Sequence, residues 1–261
     1  METILPSLLK KIGIKKGDEI FIHSDIARVP AKNLPRPKKR LSLSDRLDCM
    51  MRNIFSDIQE VIEEEGTLMV PTYSYSFCEN KIFDLENSPS QIGLFTEYIR
   101  KKEGSFRSVE PIHSVCSLGG NSKSYVSEVS NCCFGKDSIF DRLYKNNAWL
   151  VFLGTTMQPC TMAHYVEQTT NVPYRFFKNF KGNIKIGDKT TYHTHSYFVR
   201  HLDQNSNSVL DKAQKDLEDN NLYIQPDKKY LVSGIKAKDF CNFLGEKLNK
   251  NPYYFIKEDL S

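Results

Sequence analysis

Two consecutive segments, Trp149-Leu-Val-Phe-Leu-Gly154 and Thr161-Met-Ala-His-Tyr-Val-Glu167, decide how this chain is interpreted. The first is an apolar run of strand length, and the second begins like a helix with Thr161 as its N-cap. His164 and Glu167 are three residues apart, so they share one helix face. Because a carboxylate can fix the tautomer of a neighbouring imidazole and raise its basicity, the pair predicts a general base. An ordinary helix with one polar face would show the same spacing.

The segments upstream alternate between strand-like and helix-like patterns. Apolar runs predict four strands, at residues 19–23, 67–71, 113–118 and 149–153. Apolar residues at helical spacing predict four helices, at residues 3–12, 43–65, 92–102 and 138–145. This alternation predicts an α/β fold with a central, mostly parallel sheet flanked by helices. The chemistry of such folds lies at the strand-to-helix turns, which is where His164 is expected.

The pattern of predicted elements changes after Lys178. The remaining chain predicts a β-hairpin, a polar helix, a strand and a closing helix, at residues 183–201, 206–221, 230–235 and 238–248. We therefore predict two parts. Residues 1–177 form the α/β core that carries the motifs, and residues 178–261 form a C-terminal antiparallel β/α addition packed on that core.

Composition favours a soluble enzyme. The 261 residues are enough for a large core, and no apolar run reaches the roughly 18 residues that span a bilayer. The N-terminus lacks the basic and apolar regions of a secretory signal. The seven cysteines are scattered, with no C-x-x-C pair, which fits reduced thiols better than a disulfide or metal framework. We predict a cytoplasmic protein without a membrane partner, present as a monomer or weak oligomer.

Three histidines near the C-terminal hairpin raise the question of a metal. His193 and His195 alternate within a predicted strand and would face the same side, as a zinc pair does, and His201 follows them. The sequence offers no third ligand at a suitable spacing. We therefore predict no metal site.

Four segments, in this order, resemble the motifs of the aminoglycoside 3-N-acetyltransferase-like family, whose members acylate sugar amines from acyl-coenzyme A. They are Gly17-Asp-Glu-Ile-Phe-Ile-His-Ser24, Gly66-Thr-Leu-Met-Val-Pro-Thr-Tyr73, residues 104–119, and residues 134–138 with the Thr161 stretch. The resemblance covers roughly residues 10 to 180. It implies an acyl-coenzyme A-binding core, acyl-coenzyme A as co-substrate and a small-molecule amine acceptor.

The resemblance also implies a group of residues on the donor side. Their hydroxyls and backbone amides would bind the pantetheine, the diphosphate and the thioester carbonyl of coenzyme A. These residues are His23, Ser24, Thr72, Ser108 and Ser114. Ser24 in particular is predicted at a strand-to-helix turn, where a helix N-terminus suits phosphate binding. Each of these small polar residues, taken alone, is also a common turn or cap residue.

Three further residues are predicted to contact the acceptor. Tyr73 would stack on a nucleotide base, Thr161 lies at the start of the catalytic helix, and Glu110 would contact an acceptor hydroxyl or amine. Glu110 stands where the family commonly has histidine, and the segment after Ser24 is unlike that of the antibiotic-modifying members. The chain more closely resembles the branch that acylates nucleotide-linked amino sugars, such as the N-acyltransferase of anthrose biosynthesis.

The charge balance also favours a nucleotide-linked acceptor over an aminoglycoside. The chain carries 36 Lys and Arg against 32 Asp and Glu, whereas an enzyme for polycationic aminoglycosides would gain from an acidic surface. Residues 28–46 contain seven basic residues and one acid, and this loop would bind phosphates, although a solvated Pro-rich loop fits equally well. The excess charge is small and no basic-aromatic array recurs, so nucleic acid is not an expected partner.

The predicted function is acyl-coenzyme A-dependent N-acylation of a nucleotide-linked amino-deoxy sugar for surface polysaccharide biosynthesis. His164 would accept the amine proton while Glu167 orients its ring. Direct attack by an already neutral amine is a competing mechanism, because a sugar amine is less basic than lysine. The alternative function is aminoglycoside acetylation. A non-catalytic binding protein of the same fold is a third, and the intact His164–Glu167 pair argues against it.

Overall fold

The residues described by the computed structural model, 4–29, 42–128 and 130–257, form a central sheet of six strands. In spatial order these are β4 (Phe106–Arg107), β5 (Val115–Gly119), β2 (Thr67–Pro71), β1 (Glu19–Ser24), β6 (Trp149–Leu153) and β9 (Val232–Lys236). β1 pairs in parallel with both β2 and β6. Antiparallel pairs flank these strands: β2 pairs with β5 and β5 with the edge strand β4 on one side, and β6 pairs with the edge strand β9 on the other. The predicted α/β fold is confirmed, and its parallel strands lie at the centre of the sheet.

Eight helices of the described chain cover this sheet. They are α1 (Ile4–Ile12), α2 (Leu43–Ile62), α3 (Leu94–Arg100), α4 (Ser122–Val126), α5 (Ile139–Asn146), α6 (Met162–Thr169), α7 (Asp211–Asp219) and α8 (Ala237–Lys250). Alternate residues of β6 enter opposite apolar cores: Leu150 and Phe152 pack with the side of α5, α6 and α8, and Val151 and Leu153 with the side of α1 and α2. Because both faces of β6 are buried, its sequence is continuously apolar.

A second sheet consists of three strands within the described residues. β3 (Phe83–Asp84) pairs in parallel with β7 (Arg175–Ile186), which forms a long antiparallel hairpin with β8 (Lys189–Arg200). Gly187 closes the turn with a φ of +55°, a left-handed conformation that glycine adopts readily. β7 begins at Arg175, before the predicted start at residue 183. Most of its side chains are exposed, so its first half shows no apolar alternation to read from the sequence.

Several strand and helix boundaries differ from the predicted ones. β5 starts at Val115, which leaves His113 in the preceding turn rather than in the strand. α7 starts at Asp211, so residues 206–210 form a loop instead of the first turns of a helix. Thr161 occupies the N-cap position of α6 as predicted, but its backbone is helical and its side chain makes no capping hydrogen bond. Within the described ranges no helix is long and apolar enough to cross a membrane.

Candidate active site

The predicted base pair is in direct contact. His164 lies in the first turn of α6, and its Nδ1 is 2.7 Å from Oε2 of Glu167. The side chain of Glu167 is fully buried, whereas 28% of the His164 side chain is exposed. An ionised carboxylate only accepts hydrogen bonds, so Nδ1 carries the proton in this contact. The neutral ring then presents a lone pair on Nε2, which is the atom that a general base uses.

Glu167 is held by three further side chains. Arg175, the first residue of β7, places Nε 2.8 Å from Oε2. Tyr174 donates from its hydroxyl to Oε1 over 3.0 Å, and Ser208 donates to the same oxygen. Burial alone would raise the pKa of Glu167, but the contacts with His164, Arg175 and Ser208 hold that pKa below its ordinary value. The carboxylate therefore stays ionised and fixes the imidazole ring.

Gly154 sets the path between β6 and α6. Its φ is +71°, and a Cβ atom at this position would overlap the carbonyl oxygen of Asp25. Only glycine tolerates both the left-handed backbone and the close approach. The sequence Trp149-Leu-Val-Phe-Leu-Gly154 therefore ends the strand and directs the chain towards α6, which carries His164.

His164 opens onto a cavity of about 780 Å³ between α6, the hairpin and the loop before α7. The cationic side chains on its wall are Arg175, Lys178 and Arg200. Asp203 is the single carboxylate among the described residues that line it. Since Arg175 is paired with Glu167, the charges left for a ligand are those of Lys178, Arg200 and Asp203. The cavity wall is thus net positive and suits an anionic ligand.

Two residues of the predicted set lie beside this cavity. Thr161 lines it, and the Thr161 backbone N–H donates to Nε2 of His23 over 3.4 Å. His23 is buried at the end of β1 and its ring stacks on Phe152 with 5.9 Å between centroids. Burial lowers the pKa of His23 to about 3, so its ring is neutral. His23 therefore supports the turn before α6, and its predicted contact with coenzyme A is not tested by this geometry.

Three predicted donor-side hydroxyls face protein instead of the cavity. Thr72, Ser108 and Ser114 are fully buried. Thr72 and Ser114 each donate to the other's carbonyl oxygen, over 3.1 and 2.8 Å, and Ser108 accepts from the backbone N–H of Val115 over 3.0 Å. Arg107 ties the group together through Nη2, 2.6 Å from the Thr72 carbonyl oxygen. Their contact with coenzyme A stays a prediction, and their burial argues against it.

Ser24 ends β1 as predicted, and the described residues that follow it form a three-residue 3₁₀ helix, Ile26–Arg28. The Asp25 carboxylate already accepts from the N–H of Ala27 over 3.2 Å. A carboxylate at this position competes with a phosphate, so phosphate binding at Ser24 stays a prediction, and this contact argues against it. Most of the basic segment that follows, including Lys38, Lys39 and Arg40, lies outside the described residues.

Tyr73 and Glu110 are both buried and neither lines the cavity. The Tyr73 ring meets the His113 ring edge-on, with 4.8 Å between centroids. Glu110 accepts backbone N–H groups from Ile112 and His113, and its Oε1 lies 2.8 Å from Nε2 of His195. Direct contact of these two side chains with an acceptor therefore stays a prediction without support from their positions.

Sequence reasoning missed the residues that complete the site. Arg175 and Ser208 bind Glu167, and Lys178 and Arg200 supply the charge of the cavity. Ser208 was assigned to a helix that begins three residues later, and the basic residues lie on exposed strand positions. No motif marks them, because they reach the site only through the hairpin's position in the fold.

The sheet and the oriented histidine together fit the class of α/β enzymes, with a candidate imidazole base on the helix that follows a central strand. The sequence profile of the family described as aminoglycoside 3-N-acetyltransferase matches residues 46–246, which is most of the chain. The chain belongs to this family.

Individual relatives are distant. Aminoglycoside N(3)-acetyltransferase VII of Streptomyces paromomycinus is 22% identical over 204 residues, which cover 70% of this chain and 66% of that protein. Among solved structures, a binary complex of AAC-IIIb with CoASH has a TM-score of 0.76 at 18% identity, covering 94% of this chain and 95% of that one. Sisomicin-bound AAC-VIa has a TM-score of 0.73 at 17% identity, covering 94% and 96%. At these identities the structures establish the fold.

Proposed function

We propose that this protein is an acyl-coenzyme A-dependent N-acyltransferase whose acceptor is a nucleotide-linked amino-deoxy sugar of the kind used in surface polysaccharides. The observation that carries the acceptor class is the net positive cavity wall beside His164, with Lys178 and Arg200 against Asp203. A nucleotide sugar brings two phosphate charges and one amine. An aminoglycoside brings several ammonium groups, which Lys178 and Arg200 would repel.

The chemistry follows from the oriented ring. The acceptor amine attacks the thioester carbonyl, and Nε2 of His164 takes the proton that the nitrogen loses as the C–N bond forms. The C–S bond then breaks, and the coenzyme A thiolate leaves and takes up the proton held by the His164 imidazolium, which regenerates the neutral ring. Glu167 stabilises the imidazolium that forms, because its carboxylate is ionised and already bonded to Nδ1. A positioned base of this type contributes about 10²–10⁴-fold to the rate.

Support for acyl-coenzyme A as the donor comes from the family and from the CoASH bound to the related AAC-IIIb fold. The reaction belongs in the cytoplasm on this proposal, where both substrates are made. All seven cysteines are free, as reducing conditions require.

Aminoglycoside acetylation is the second candidate. The family match favours it, as do the curated relative from Streptomyces paromomycinus and the sisomicin complex of AAC-VIa. On this alternative Asp203 would receive an ammonium group, and Lys178 and Arg200 would turn towards the phosphates of coenzyme A. The two candidates therefore assign the same cations to different substrates, and separate Michaelis constants distinguish them.

Replacing Lys178 or Arg200 with Ala is expected to raise the KM for a nucleotide-linked amino sugar by about 10-fold, the cost of one hydrogen bond to a charged group. The KM for acyl-coenzyme A should change little, and kcat should stay close to the wild-type value. Steady-state assays with each substrate varied in turn, at two salt concentrations, measure this. Lys181→Ala on the same strand is the matched control, because Lys181 is exposed and does not line the cavity.

A rise confined to the KM for acyl-coenzyme A would assign these cations to the donor. The observation that carries the acceptor class would then be lost, and aminoglycoside acetylation would become the better supported function.

A further inference from the structure

A cluster of side chains of the types that bind metal ions lies next to the active site and takes no part in the proposed reaction. Glu110 and His113 come from the turn before β5, Cys133 from the loop between α4 and α5, and His195 from β8. Potential ligand atoms of Glu110, His113 and Cys133 lie within 4.8 Å of one another. The Nε2 atom of His195 is 2.8 Å from Oε1 of Glu110. Three donors thus converge within 4.8 Å, and His195 adjoins them through its contact with Glu110.

Burial makes this convergence informative. At most 4% of each of the four residues is exposed to solvent. The Nδ1 atom of His113 has no hydrogen-bond partner among the described residues. The Nε2 atom of His195, by contrast, lies at hydrogen-bonding distance from Oε1 of Glu110, which places His195 at the edge of the cluster. A buried polar atom left without a partner costs about 1–3 kcal/mol, so Nδ1 of His113 beside Glu110 and Cys133 calls for a ligand.

We propose that Glu110, His113, Cys133 and His195 bind one zinc ion. The separation of 3.5 Å between Cys133 Sγ and Glu110 Oε1 fits two ligands on a tetrahedral ion, at about 2.3 Å for sulfur and about 2.0 Å for oxygen. A hydrogen bond from the thiol to the carboxylate explains the same distance, but it leaves the Nδ1 atom of His113 without a partner. The mixed nitrogen, oxygen and sulfur donors select zinc over magnesium or calcium.

The charges of the site balance. The negative charges of the Glu110 carboxylate and a Cys133 thiolate neutralise Zn²⁺, so the occupied site is neutral in a dry interior. Burial raises the pKa of Cys133 well above its ordinary value, so zinc must displace the thiol proton to solvent on binding. Glu110 is already fixed by the backbone N–H groups of Ile112 and His113, which is the outer support that metal-binding carboxylates commonly have.

The ion would be a structural one that shapes the active site. All four coordination positions are filled by protein, as in closed zinc sites. The residue after Cys133 is Phe134, whose ring lies 4.9 Å from the His113 ring and 5.6 Å from the catalytic His164 ring. Zinc would therefore fix the loop that packs Phe134 against His164, and would join that loop to β8.

Cobalt(II) titration of the full-length, chelator-treated protein tests the site without relying on activity. We expect one equivalent of Co²⁺ to bind, with the visible bands of tetrahedral cobalt and a thiolate-to-cobalt charge-transfer band, and Zn²⁺ to displace it. Cys133→Ser should abolish the charge-transfer band, and His195→Gln should weaken binding by at least about 10-fold. Cys132→Ser and His193→Gln are matched controls, because these neighbours bond elsewhere, to Gln168 and Thr191.

Several outcomes would overturn the proposal. Absence of stoichiometric cobalt binding by the wild-type protein would decide against the site without any variant. Alternatively, binding unaffected by Cys133→Ser and His195→Gln would place the ion elsewhere. Equal losses of cobalt binding in the Cys132→Ser and His193→Gln controls would also place the ion elsewhere. Circular dichroism melts of each variant confirm that the folded chain is being titrated.

Discussion

The His164→Asn variant is expected to lower kcat by about 10²-fold or more while leaving the KM for acyl-coenzyme A nearly unchanged. Asparagine keeps a polar side chain near Glu167 but removes Nε2, the one atom of the pair that faces the cavity as a base. Release of free coenzyme A thiol at saturating substrates measures kcat.

His193→Asn is the matched control for this prediction, because His193 bonds to Thr191 and does not line the cavity. It should keep wild-type kcat. Near-wild-type turnover in His164→Asn at neutral pH would show that the amine attacks unassisted, and His164 would then be a positioning residue at most.

Glu167→Gln should destabilise the fold as well as slow the reaction. The amide removes the charge that compensates Arg175, whose side chain is only 4% exposed, and an uncompensated buried charge costs on the order of 3 kcal/mol. For a chain of this size such a loss corresponds to a fall in Tm of about 6–12 °C. Thermal melts by circular dichroism measure it. Glu246→Gln removes the same charge from an exposed position of α8 and should shift Tm little.

The pH dependence of this difference has a defined sign. The folded protein holds the pKa of Glu167 below its ordinary value, so the stabilisation is complete above that ordinary value. It is lost as the pH falls through the folded-state pKa. The gap in Tm between wild type and Glu167→Gln should therefore be constant near neutral pH and narrow in acid. A gap that widens in acid, or a variant as stable as wild type, would contradict the ion-pair account.

Strong local signals made the central strands predictable. β2 and β6 have the predicted bounds because each is an apolar run closed by a Pro or Gly. The His164–Glu167 contact was also predictable, since helical spacing alone brings residues three apart together. These features depend on neighbours in the sequence, so the sequence carries enough information to place them.

The rest of the site depends on contacts between distant segments. Arg175 and Ser208 reach Glu167 only because the hairpin and the loop before α7 fold over α6. Thr72 and Ser114 lie in the motif segments, but their burial follows from the antiparallel pairing of β2 with β5, which the sequence does not show. The approach of His195 to Glu110 across 85 residues has no local signal either.

The measurement that tests the central claim most directly is coenzyme A release across a matched acceptor panel. Purified protein is given acetyl- or hydroxybutyryl-coenzyme A with nucleotide-linked amino sugars on one side and kanamycin- or gentamicin-type aminoglycosides on the other. We predict His164-dependent turnover of a nucleotide-linked amino sugar and negligible turnover of the aminoglycosides. Turnover of an aminoglycoside with a higher kcat/KM, abolished by His164→Asn, would contradict the account and make the protein an antibiotic acetyltransferase.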